Sequence, residues 1–225
     1  HTDRAATEST PAKFDIVTGV STGALQATFA FIDEPAAYQT LVSAYTTITD
    51  FGDVVDHDWN FLTGRVALAA ITGDSSLYTT RKLRQRIEDI ITPEVLYQVK
   101  AGEREHRRLF VATTNLDISR SWVWDLTKVA ALLPDDPAAQ PQRVADVRRL
   151  YVDILLASSA MPVLFPPVYV DSTLLNTPGS IPTGGFMHCD GGVTRNVFVE
   201  NFISAITNAS CDIDDRGNFI CRLLD

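Results

Sequence analysis

The feature that most constrains this chain is the pentapeptide Gly19-Val20-Ser21-Thr22-Gly23, lodged between two segments of different periodicity. Ahead of it, Phe14-Asp15-Ile16-Val17-Thr18 reads as a short, mostly apolar strand. Behind it, Thr22 to Ile32 places Leu25, Phe29 and Ile32 on one helical face, with Ala24, Ala27 and Ala30 filling the sides. A helix apolar nearly all round is buried, which suits one packed on a sheet. Strand, G-x-S-x-G, helix is the order of a nucleophile elbow. A serine on so sharp a turn sits in a strained backbone conformation, and Gly19 and Gly23 leave room for strand and helix to close in. The helix aims its free N–H groups and positive dipole end at the place where an oxyanion would form.

The rest of the chain alternates strands with helices. Asp33-Glu34-Pro35 closes the first helix, and Leu41, Val42, Tyr45 and Ile48 suggest a second. Phe51, Trp59 and Phe61 are read as core cover in preference to a substrate entrance; Val66–Ile71 is a short apolar helix and a candidate lipid-facing lid. Leu83, Ile87, Ile90 and Ile91 mark an amphipathic helix ending before Pro93. Leu109–Thr114 and Trp122–Leu126 form a hairpin, and the proline-rich stretch Leu133–Pro141 is the expected disordered tip. A helix over Val152–Ser159, stopped by Pro162, precedes the extended Leu164–Val170 and a Gly/Pro/Ser loop over Asp171–Thr183. Phe186–Cys189 is a short strand into Asp190-Gly191-Gly192, followed by a helix over Val199–Ile206 and a strand over Phe219–Leu224. There are no internal repeats. The pattern is α/β, with helices on both faces of a sheet, in a single domain over 1–225 with a loose lead-in over 1–13.

Composition narrows the partners. A net charge of −9, with basic residues only in loose clusters (Arg81-Lys82-Arg84-Arg86, Arg104-Arg107-Arg108, Arg148-Arg149), excludes a nucleic-acid binder and reads as solvated helix faces or strand flanks. No window approaches the ~18–20 apolar residues of a membrane span, and no signal peptide is visible, so a soluble protein is expected, with the cytoplasm favoured. Three cysteines without C-x-x-C spacing argue against structural zinc; Cys211 and Cys221 flank an acidic turn and are read as free thiols in preference to a disulfide.

A serine hydroxyl needs a base within hydrogen-bond reach. Of four histidines, only His188 is placed for a Ser–acid–His order, with Asp153 or Asp171 as the acid. The stronger candidate is Asp190, which ends a strand and is followed by Gly191 and Gly192; these let the chain turn sharply and leave the carboxylate uncrowded. An Asp-Gly turn is common in any protein, so the pairing with the elbow carries the weight.

Together the two motifs resemble the patatin-like phospholipase family. Ser76-Leu77-Tyr78-Thr79-Thr80, Val111-Ala112-Thr113-Thr114-Asn115-Leu116, and Ala157-Ser158-Ser159-Ala160-Met161-Pro162 with Phe165-Pro166-Pro167 are similar to that family's blocks, in its order, over most of residues 14–200. The resemblance implies a three-layer α/β/α fold with a mostly parallel central sheet, here expected to lack its first strand. It implies Ser21 as nucleophile, Asp190 as base, the backbone N–H of Thr22 as an oxyanion donor, and neither metal nor organic cofactor. The implied substrate is a lipid acyl ester, with transient contact at a membrane surface; oligomeric state stays open. The family's glycine-rich oxyanion loop is not found in the twenty residues before Ser21, so the sequence is expected to be a fragment. Two alternatives are a weak or inactive domain binding lipid or a partner protein, and a Ser21–Asp–His188 esterase.

Overall fold

The computed structural model describes residues 14–46, 80–162, 164–175, 185–194, 210–213 and 219–222. The lead-in 1–13, Ile48, the aromatic piece around Phe51, Trp59 and Phe61, the run Val66–Ile71, Ser76–Thr79 and the expected helix Val199–Ile206 lie outside the described residues.

Strand β1 (Ile16–Val20) turns at Ser21 into α1 (Thr22–Ile32). That helix ends at Asp33, which takes the left-handed φ of 57° that aspartate tolerates better than most residues, and α2 (Pro35–Thr46) starts at once with proline in its first turn. The amphipathic α3 (Arg81–Ile90) follows. Pro93, expected only as the stop of α3, also opens α4 (Pro93–Arg104): Thr92 caps it by accepting from the Val95 N–H, and Glu94 sits in its first turn. The hairpin β2 (Arg108–Asn115) and β3 (Arg120–Asp125) forms as expected, but Leu126 leaves the strand and begins α5 (Leu126–Ala131), capped by the Asp125 carboxylate. Helix α6 (Pro141–Ser159) has 19 residues, against the shorter Val152–Ser159 expected; Val144, Val147, Leu150 and Tyr151 extend its inward face toward the N-terminus. Strand β4 (Val168–Asp171), β5 (Gly185–Asp190), a 3-10 turn over Gly191–Val193 and the hairpin β6 (Ser210–Ile213) and β7 (Phe219–Arg222) complete the described elements, with Cys211 and Cys221 as cross-strand partners.

The α/β class is the one expected, and the described sheet is mixed: β1 runs parallel to β2, while β3 and β5 pair with β2, and β4 with β5, in antiparallel fashion. Two pairings decide where Ser21 and Asp190 sit. Strand β3 occupies one edge of β2, opposite residues Phe110 to Asn115. The other edge is therefore shared: β1 lies against Arg108–Ala112 and β5 against Thr113–Asn115. The two strands arrive from opposite ends, so Val20 faces Ala112 and Asp190 faces the next residue, Thr113.

By register, Leu109, Val111, Trp122, Trp124, Val168 and Val170 share one face of the sheet, and α1 and α6 pack over it to make the core. Each Leu or Ile that α6 buries (Leu150, Ile154, Leu155, Leu156) contributes about 1.5–3 kcal/mol of apolar transfer. On the opposite face Phe110, Ala112 and Cys189 are also buried, while Tyr169 and Asp171 at the β4 edge of that face are exposed. The stretch Leu133–Pro141 is pinned where a disordered tip was expected: Leu133 is buried, Tyr97 donates to Pro134 O at 2.8 Å, and Lys100 donates to Leu133 O at 2.6 Å and pairs with Asp135. Two arginines read as solvated are structural instead. Arg107 is buried and donates to the carbonyls of Phe14 and Phe31, while Arg148 closes the end of α3 by donating to Glu88 O and Ile91 O. No helix among the described residues is long and apolar enough to cross a membrane.

Candidate active site

Ser21 stands where β1 must leave the sheet and α1 must begin. Its backbone sits at φ 54° and ψ −134°, a conformation costly to any residue with a Cβ, by about 1–3 kcal/mol. Such strain persists only when the surroundings over-determine it, and three contacts do so. The Ser21 N–H donates to Ser158 Oγ at 2.9 Å, the Ala24 N–H donates back to Ser21 O at 2.9 Å, and the Ser21 hydroxyl donates to Asp190 Oδ2 at 2.5 Å.

Gly19 and Gly23 share one expected task, but the structure divides them. A Cβ on Gly19 would lie 2.6 Å from the Ala24 Cα and 2.8 Å from the Ala27 Cβ, so this glycine is what lets α1 lie flat on β1. Among the described residues a Cβ on Gly23 would meet nothing within 4 Å. Room for closure is needed on one side of the serine only.

Asp190 reaches the serine because β5 ends against Thr113, one residue beyond Ala112. The carboxylate is buried yet well supplied: Oδ2 accepts from Ser21 and Oδ1 accepts from the Gly192 N–H at 2.7 Å. Its backbone is held as firmly, with its N–H donating to Ala160 O at 2.9 Å and its carbonyl accepting from Thr114 Oγ1 at 3.0 Å. Gly191 is required by space, since a Cβ there would sit 2.5 Å from the Ala112 carbonyl oxygen. Gly192 serves through its amide.

At the start of α1, Thr22 is exposed and its carbonyl accepts from the Tyr45 hydroxyl at 3.1 Å. Burial raises the pKa of that phenol, which stays protonated and can donate. The Thr22 N–H belongs to the first helical turn, where amides have no partner inside the helix.

His188 is not brought to the serine. It is fully buried, its Nδ1 lies 2.8 Å from Thr113 Oγ1, and its Nε2 has no partner among the described residues. Thr113 Oγ1 also accepts from the Trp124 indole, and burial drives the imidazole pKa down to about 4 against a smaller opposing pull from Asp117. The imidazole is thus neutral and structural. Neither suggested acid approaches it: Asp153 pairs with Arg84 at 2.6 Å, and Asp171 accepts from the Thr173 N–H. Cys189 is buried, and burial pushes its thiol pKa up, so it offers no thiolate. Among the described residues no group of three or more His, Cys, Asp or Glu side chains comes together as a metal site.

Sequence reasoning missed Ser158, Thr114 and Tyr45. Ser158 lies inside the block Ala157–Pro162, but nothing in that block marks which serine faces the elbow. Thr114 and Tyr45 act on backbone carbonyls across the fold, a task without a local signature.

None of the curated proteins compared with the chain matches it. A family model described as patatin-like phospholipase matches residues 5–203. That span includes the elbow, β2, the end of α6 and the turn after β5, and the chain belongs to the patatin-like phospholipase family.

Proposed function

We propose that the protein hydrolyses acyl esters of lipids through a Ser21–Asp190 dyad and an acyl-enzyme. The observation that carries this reading is the 2.5 Å hydrogen bond from the Ser21 hydroxyl to a carboxylate oxygen, made by a serine in a strained elbow. Ser21 is half-buried and Thr22 is exposed, as access of an ester to the elbow requires.

In the first step Asp190 Oδ2 takes the hydroxyl proton as Ser21 Oγ attacks the ester carbonyl carbon. The carbonyl oxygen becomes an oxyanion beside the first turn of α1, where the Thr22 N–H and the helix dipole stabilise it. Collapse breaks the bond to the alcohol, which leaves with the proton from Asp190. Water then gives a proton to the same carboxylate and attacks the acyl-serine; the acid departs and the proton returns to Ser21 Oγ. Oδ1, held by the Gly192 amide, keeps the carboxylate aimed throughout. The family supports a lipid ester as the substrate, and transient contact with a lipid surface belongs to the same reading. The chemistry needs neither a metal nor an organic cofactor.

Incubation with a fluorophosphonate and a short acyl ester tests this. Labelling at Ser21, loss of labelling in Ser21→Ala, and a drop of about 10²–10⁴ in turnover for a folded Asp190→Asn are expected. Turnover that persists in Asp190→Asn but disappears in His188→Gln would move the assignment to a histidine-based triad.

A further inference from the structure

We propose that Ser158 is a positioning residue for the dyad, its hydroxyl spacing the elbow off the sheet at the point where Asp190 arrives. The proposal rests on the Ser21–Asp190 reading. Ser158 is fully buried at the end of α6, and its hydroxyl is used twice: Oγ accepts from the Ser21 N–H at 2.9 Å and donates to Ala112 O at 2.7 Å. Ala112 is the register partner of Val20, the last residue of β1. The hydroxyl therefore stands between an N–H and a C=O at the end of a parallel ladder, as a rung with one group inserted.

That insertion gives the elbow its height. If the Ser21 amide paired directly with the Ala112 carbonyl, β1 would run on by one residue and draw Ser21 into the sheet. Its φ of 54° would be lost, together with the approach to Asp190. If the two groups did not pair, a part-buried donor and a buried acceptor would each lack a partner. Two residues further on, Ala160 O accepts the Asp190 N–H at 2.9 Å. The end of α6 thus holds the nucleophile through a side chain and the base through a backbone carbonyl. The two catalytic groups, 169 positions apart in the chain, are spaced by three consecutive residues of one helix end.

The test compares Ser158→Ala with Tyr151→Phe, also on α6, which removes a buried hydroxyl bond to Thr28 in the interior of α1 and not at the elbow. A misplacement of the order of 1 Å costs about 10²-fold in rate, so Ser158→Ala should lower kcat by about that factor with KM nearly unchanged. Tyr151→Phe, at an equal or larger fall in melting temperature, should keep wild-type kcat. Amide hydrogen exchange at Ser21 supplies a readout independent of turnover, and should quicken about tenfold or more in Ser158→Ala with the loss of one buried bond. Should Ser158→Ala fail to fold, Ser158→Cys, of similar size with a weakly hydrogen-bonding thiol, takes its place. A folded variant with kcat within threefold of wild type, or with unchanged exchange at Ser21, overturns the proposal. A wild-type protein that neither labels nor hydrolyses overturns the hydrolase reading instead, and the exchange measurement then still decides the role of the hydroxyl.

Discussion

Adding one methyl group at either glycine of the elbow should have opposite consequences. In Gly19→Ala the new carbon would stand 2.6 Å from the Ala24 Cα and from the Gly23 carbonyl oxygen, and 2.8 Å from the Ala27 Cβ. Ordinary contacts of this kind begin near 3.4 Å, so α1 must retreat by the order of 0.8 Å, and all three obstacles are backbone or a Cβ that no rotamer change can move. Overpacking of this sort costs about 1–3 kcal/mol, and the upper part of that range applies here. In a domain of this size, about 2–3 kcal/mol lowers the melting temperature by about 4–12 °C. The retreat also carries Ser21 and the Thr22 amide away from Asp190, adding a loss of about 10²-fold in kcat. In Gly23→Ala the methyl meets nothing within 4 Å, and a helical glycine becomes alanine, a gain of up to about 1 kcal/mol. Its melting temperature should rise by about 1–4 °C. Thermal unfolding followed by circular dichroism, with ester turnover on the same preparations, measures both. Equal shifts of the same sign, or an unchanged Gly19→Ala protein, would refute the division of labour between the two glycines.

Acid should destabilise the protein in part through His188. Its folded pKa of about 4 lies below the ordinary 6.5, so between these values the unfolded chain binds the extra proton and stability falls as the pH drops from about 6.5 toward 4. The contribution is about 2–3 kcal/mol across that window, and urea midpoints at pH 7.5 and 4.5 should differ less in His188→Gln than in wild type. The same variant should keep ester turnover within a few-fold at pH 7.5, and a complete loss in a folded protein would count against the dyad. Gly191→Ala sets its methyl 2.5 Å from the Ala112 carbonyl oxygen and should lower kcat about 10²-fold, read alongside fluorophosphonate labelling at Ser21.

That Ser21 and Asp190 would meet was legible in the sequence because each carries its own local constraint. Ser21 needs a sharp turn with a close neighbour behind it, and Asp190 needs a strand end followed by a glycine that can touch β2. Both constraints are written within five residues. Helix α4 was equally local in its cues, with Thr92 as cap, Pro93 in the first turn and Leu96 and Val99 three apart, but a proline that both ends one helix and opens the next is easily read for the first role only. The first half of α6 was obscured in the same way by Pro141 and the prolines before it. Ser158 was out of reach for a different reason: its hydroxyl has meaning only once β1, β2 and α6 are in place. Arg107 is similar, a charge that looks solvated until the carbonyls of Phe14 and Phe31 close around it.

The shared edge of β2 has a consequence for the order in which the molecule comes together. Ser21 and Asp190 lie on no common helix or loop, and closing a 169-residue separation costs roughly 4–5 kcal/mol of chain entropy before any contact offsets it. If Asp190 activates Ser21 as proposed, a reactive serine can exist only after β1, β2 and β5 have all docked, whatever local structure formed earlier. During refolding, covalent capture of Ser21 by a fluorophosphonate should trail the recovery of helical signal and coincide with the slowest step of sheet assembly. The hydroxyl is in this sense a clock for long-range closure, reporting on a part of folding that spectroscopic helix content does not see.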